Sequence, residues 1–125
     1  MKKTMMAISL ALASLSLVFP LVSQATVNEE MRAMAGSFKG ASNASDAATL
    51  KAELQNMKTH ATNAKADPGF NQGPDSQTFN EGLGKLIAQI DHAIALVDAG
   101  NLEEAKTATE NLKKIRAEYH KKLGV

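Results

Sequence analysis

Met31 and His120 are the side chains of this 125-residue chain whose types and positions point most directly to chemistry. Met31 stands near the start of an apolar series, and His120 lies in the closing run Arg116-Ala117-Glu118-Tyr119-His120-Lys121-Lys122. A thioether sulfur is a soft, uncharged metal ligand and an imidazole nitrogen a stronger one. Facing each other, they can hold a haem iron from both sides in a protein without cysteine. With both axial positions taken, none remains open for a substrate, so the expected chemistry is electron transfer. Such a pairing requires the first turns of an N-terminal helix to meet the last turns of a C-terminal one.

The apolar spacing supplies elements of that kind. Val27, Met31, Met34, Phe38 and Ala41 recur at intervals of three and four, as do Ala47, Leu50, Leu54, Met57, Ala61 and Ala64. Phe79, Leu83, Leu86, Ile90, Ala93 and Val97 repeat the pattern, with Ile87 and Ile94 widening the stripe. Leu102, Ala105, Thr109, Leu112, Arg116, Tyr119 and Leu123 form a fourth, continuous series. This is the seam spacing of bundle helices, and no segment alternates with period two. Asp46, Ser76 and Asn101 are candidate caps for helices two, three and four. Gly100 makes the last connection very short, and the one long link runs from Ala66 to Asp75. Short links force antiparallel neighbours, so the expected fold is all-α: an antiparallel up-down-up-down four-helix bundle.

Residues 1–25 read as a cleaved signal peptide, not as part of that bundle. Lys2 and Lys3 open it, Ala7 to Val22 is mainly apolar, and Ser23-Gln24-Ala25 offers small residues for cleavage. The apolar stretch is short for a membrane span, so the expectation is export to the periplasm with no membrane attachment after leader removal. The remaining domain, 26–125, is about 100 residues, enough for one compact unit. The leader takes two of the 14 basic residues, leaving the mature chain marginally acidic against 13 acids. That balance speaks against nucleic acid as a partner. Without cysteine there is no disulfide staple, so stability must come from helix packing, a ligand or both.

Other side chains carry weaker signals. Arg116 is one turn before His120 and shares its face; it can lie beside a propionate of a haem or reach to water. Met34, one turn from Met31, can serve as a substitute ligand but is more simply core packing against Phe38. Phe38, Phe79, Leu83 and Leu86 would wall a haem and would equally fill an ordinary core. His60 and His92 flank their stripes and read as exposed, and Tyr119 reads as structural with its hydroxyl at the surface. Thioether attachment needs Cys-x-x-Cys-His, which is missing, and no Glu-x-x-His motif supports a di-iron centre. Nothing suggests a nucleophile–base pair, so no enzymatic activity is expected.

The segments Leu86-Ile87-Ala88-Gln89-Ile90-Asp91, Gly100, Glu104-Ala105 and Arg116-Ala117-Glu118-Tyr119-His120 resemble the soluble cytochrome b562 family. Asp46-Ala47-Ala48-Thr49-Leu50-Lys51 and Leu54-Gln55-Asn56-Met57 resemble the start of that family's second helix. The resemblance spans essentially all of the mature chain. It puts Met31 on the family's methionine ligand and His120 on its histidine ligand, and implies a non-covalent haem b, a periplasmic location and an electron-transfer role. Leu83 stands where the family leads one to expect a phenylalanine against the haem, and Met34 where it leads one to expect leucine.

The expectation is therefore a periplasmic, monomeric b-type cytochrome passing single electrons to partner proteins that the sequence does not identify. A cofactor-free periplasmic bundle that binds proteins or buffers stress shares the leader and fold. A haem carrier shares the ligands as well and differs in how readily it gives haem up.

Overall fold

The computed structural model describes residues 27–67 and 73–124, so the leader and its cleavage site lie outside the described residues. Five helical segments follow one another: α1 (Val27–Ser42), α2 (Ala47–Ala66), α3 (Ser76–Asp98), α4 (Leu102–Glu110) and α5 (Leu112–Leu123). The last two are parts of one rod, so the segments build an all-α, up-down-up-down four-helix bundle, and no strand occurs among the described residues.

Local chemistry sets the helix ends. Asp46 caps α2, its carboxylate accepting from the Thr49 backbone N–H at 2.7 Å and the Thr49 hydroxyl at 3.0 Å. At the far end of α3, the Asn101 N–H reaches back to the Leu96 carbonyl at 2.9 Å and Gly100 N–H to Val97 at 3.0 Å. That paired closure needs a left-handed residue, which Gly100 supplies at φ 84°. Gly124, at φ 75°, ends α5 the same way, its N–H turned to the carbonyls of His120 and Lys121.

Three expectations about the helix ends need correction. Ser76 is the first residue of α3, not its cap; Asp75 holds that position without a side-chain bond. Asn101 holds the cap position of α4 but likewise makes no side-chain cap bond. The fourth helix is not continuous, because the ladder is interrupted at Asn111. There the Asn111 carbonyl accepts from both Lys114 N–H at 3.1 Å and Ile115 N–H at 3.4 Å, which tightens the turn. Beside it, Gln89 of α3 donates its side-chain amide to the Ala108 carbonyl at 2.9 Å, giving that oxygen a tertiary partner.

The buried side chains fall into two groups along the bundle. One gathers Leu50, Leu54, Met57, Ile90, Ala93 and Leu112 with the small residues around them. The other joins Val27, Met34, Ala61, Ala64, Phe79 and Leu83. Fully burying a leucine or isoleucine contributes about 1.5–3 kcal/mol, so Leu50, Leu54, Ile90 and Leu112 anchor the first group. Lys51–Asp98 at 2.7 Å and Lys58–Asp91 at 2.8 Å tie α2 to α3 in antiparallel register. These pairs are exposed and add at most about 1 kcal/mol each. Ala47 continues the apolar spacing of α2 yet is exposed, at the first residue of that helix.

Candidate functional site

The two buried groups leave a gap. Along the bundle α1 packs closely on α2 and α4, and α3 packs on α2, α4 and α5, but α1 and α5 are not a closely packed pair. Between them lies an apolar cleft with a cavity volume of about 130 Å³, open in part to solvent. Met31, Met34, Ala35 and Phe38 of α1 form one wall, and Leu112, Ile115, Arg116, Tyr119, His120 and Leu123 of α5 the other. Phe79, Gly82, Leu83 and Leu86 of α3, with Met57 of α2, complete the lining.

Met31, Met34, Phe38, Phe79, Leu83, Arg116 and His120, the residues expected to hold a cofactor, all line this one cleft, and Leu86 does so as well. Their burial divides them. Met34, Phe79 and Leu83 are buried in the apolar floor, whereas Met31, Phe38 and His120 are half-buried. Arg116 is exposed, at the rim. Large apolar side chains such as Met31 and Phe38 would normally be driven fully inside, and here an open cleft lies on one side of them.

The position of α5 depends on Tyr119, read as structural from the sequence, and on Gly82, which the sequence did not mark. A β-carbon on Gly82 would lie 2.7 Å from Tyr119 Cγ, so only glycine lets the tyrosine approach α3 this closely. Tyr119 is buried as a whole, and its O–H donates to Oε1 of the exposed Glu81 at 3.0 Å. Lys122 and Lys85 cover the ring, with nitrogens 4.6 and 5.6 Å from its centroid. The hydrogen bond from Lys122 to Glu118, at 3.2 Å, raises the Lys122 pKa above the ordinary lysine value. His120 is the next residue after Tyr119, so these contacts and the Gly124 closure fix the turn that carries it.

On the opposite wall, Glu30 precedes Met31 and is buried, paired with His60 of α2 at 2.9 Å. His60 is therefore half-buried and bonded, not simply exposed; His92 is exposed as expected. An acid on the flank of an apolar stripe gave no sign of this pairing, because the partner lies on another helix.

Among the described residues, no group of three His, Asp or Glu side chains is placed to hold a bare metal ion. No helix among them is long and apolar enough to cross a membrane. Thioether sulfurs from Met31, Met34 and Met57, the His120 imidazole and apolar walls are a donor set and lining whose chemistry suits a flat, largely apolar macrocycle with a central iron.

The sequence profile of the cytochrome b562 family matches residues 26–123. A protein of Yersinia pestis named "Probable soluble cytochrome b562 2" is 37% identical over 129 residues, covering 98% of each chain. An uncharacterised protein of Pasteurella multocida (strain Pm70) is 32% identical over 124 residues, again covering 98% of each. Family membership implies a haem cofactor and the work of a b-type cytochrome electron carrier. With the bundle, the cleft and these matches in agreement, the chain belongs to the cytochrome b562 family.

Proposed function

We propose that this chain is a periplasmic cytochrome that carries single electrons, with one non-covalent haem b held between Met31 and His120. The observation that carries the proposal is their convergence: side chains from opposite ends of the sequence line the two walls of one apolar cleft. When bound, haem supplies a reversible one-electron couple.

The chain's own residues define what that couple does. The Met31 thioether and the His120 imidazole are the two donors, one soft and one stronger, a pair that favours a raised reduction potential. With Met31 and His120 both given to the iron, the site would offer a substrate no place to bind, in keeping with a carrier. Met34, Phe79 and Leu83 keep water from the floor of the cleft, and such an apolar surround also tunes the potential. Phe38 closes one side, with Lys113 of α5 5.7 Å from its ring centroid. Arg116, exposed at the rim, is suited to meet a carboxylate at a haem edge. Redox partner proteins would dock at that open edge, with the chain acting as a monomer. The basic start, apolar stretch and small-residue ending of residues 1–25 support export, and the family match beginning at residue 26 fits a folded domain that starts there.

Two substitutions test the ligands unequally. His120→Ala removes the stronger donor and should abolish most haem affinity. Met31→Ala should retain haem but give partly high-spin iron and a lower potential. An unchanged spectrum and potential in Met31→Ala would remove Met31 from the site and make Met34 the next residue to test.

A further inference from the structure

Glu30 is the one buried acid among the described residues, 8% exposed, and it lies immediately before Met31. Its carboxylate can only accept, so the His60 Nδ1–H donates to Glu30 Oε2, at 2.9 Å. The Glu30 side chain is 10% exposed and that of His60 32%, so the imidazole supplies a bond that little water is present to replace.

This pair sets the direction of the neighbouring Met31 side chain. Consecutive side chains on a helix point about 100° apart. Holding Glu30 against α2 therefore turns Met31 away from α2, toward the cleft, where Met34, Ala35 and Phe38 share its face. Met31 lies in the second turn of α1, which begins at Val27, and terminal turns are where helices open most readily. A bond from the first turn to a neighbouring helix opposes both fraying and rotation at that point.

We propose that Glu30 and His60 form a rotational key that holds the Met31 thioether toward the cleft, making both of them positioning residues. The inference rests on the proposed haem-binding function. Without the key, α1 can still pack through Met34 and Ala41, but its first turns lose the contact that fixes their angle. The thioether is then presented only part of the time, while the His120 side is untouched.

The test compares wild type with His60→Ala, Glu30→Ala and Glu30→Gln, each titrated with haemin and read by ferric spin state, reduction potential and far-UV circular dichroism. His60→Ala and Glu30→Ala should keep their helix content and a haemin complex, yet gain high-spin iron and lose on the order of 10-fold in haemin affinity. Glu30→Gln still offers the imidazole an oxygen and should restore the wild-type spectrum. In a Met31→Ala background, His60→Ala should have no further effect on spin state or affinity, because a key has nothing left to position. A general loss of stability would add to the Met31→Ala effect. Wild-type spin state and potential in both alanine variants, or additive effects in the double variant, would overturn the positioning role alone. A wild-type chain that binds no haemin would overturn the proposed function and this inference with it.

Discussion

Tyr119 Cγ and Cδ1 lie against Gly82, closer than any residue with a β-carbon would allow. The contact brings α5 onto α3 while α1 stays apart from α5, and the cleft is what remains between them. Gly82→Ala puts a methyl group against the root of the tyrosine side chain, which cannot swing aside as a flexible tip would. Overpacking of this kind costs about 1–3 kcal/mol. Urea unfolding should show that loss without a change in slope; a stability equal to wild type would mean that α5 is not held by this contact.

The α2 cap should have a signature in pH. The Thr49 backbone N–H, and secondarily its hydroxyl, hold the Asp46 pKa below its ordinary value. A carboxyl group depressed in the folded state stabilises above its unfolded pKa, and that contribution is lost as pH falls through the folded value. Asp46→Ala should therefore lower the thermal midpoint at neutral pH, with the difference from wild type shrinking in acid. Thermal scans of both proteins across that range check the sign, and a gap that widens in acid would contradict it.

Cleft walls and core should respond differently to truncation. Leu54 is wholly buried, and Leu54→Ala should cost about 2–5 kcal/mol whether or not haemin is present. Phe38 is half-buried with the cleft at its side, so Phe38→Ala should cost more in the presence of haemin than in its absence. Denaturation of both variants, with and without haemin, separates the two cases. An equal haemin dependence for Leu54 and Phe38 would mean that Phe38 does not wall the site.

Haemin itself should stabilise the fold. A ligand that binds only the folded chain adds roughly 4 kcal/mol when its free concentration is a thousand times Kd. In a domain this small each kcal/mol shifts the midpoint by about 4–8 °C. A large upward shift in a melting curve is expected, and it should largely vanish in His120→Ala.

Much of this architecture was legible in the chain because it depends on local pattern. Intervals of three and four placed Leu50, Leu54, Ile90 and Leu112 inside, and Asp46 announced a cap through the short reach of its own carboxylate. The cleft residues were legible too, since a bundle with short links brings the Met31 and His120 ends together. What escaped depends on partners remote in sequence. The Asn111 interruption preserves the apolar spacing on both sides, and its neighbour Gln89 belongs to α3. Glu30 and His60 each lie beside an apolar stripe, and only the rotation of α1 against α2 turns them toward one another. Gly82 carries no signal of its own in the sequence; its role comes from Tyr119, a residue of another helix set against it.

The central claim, that the cleft holds haem between Met31 and His120, is tested most directly by titrating the purified mature chain with haemin and following the absorbance. Saturation at one haemin per chain is expected, with a low-spin ferric spectrum that converts reversibly to a sharp-banded reduced form. His120→Ala should lose most of that binding. A wild-type chain that shows no saturable binding, or a His120→Ala variant that binds as wild type does, would contradict the account.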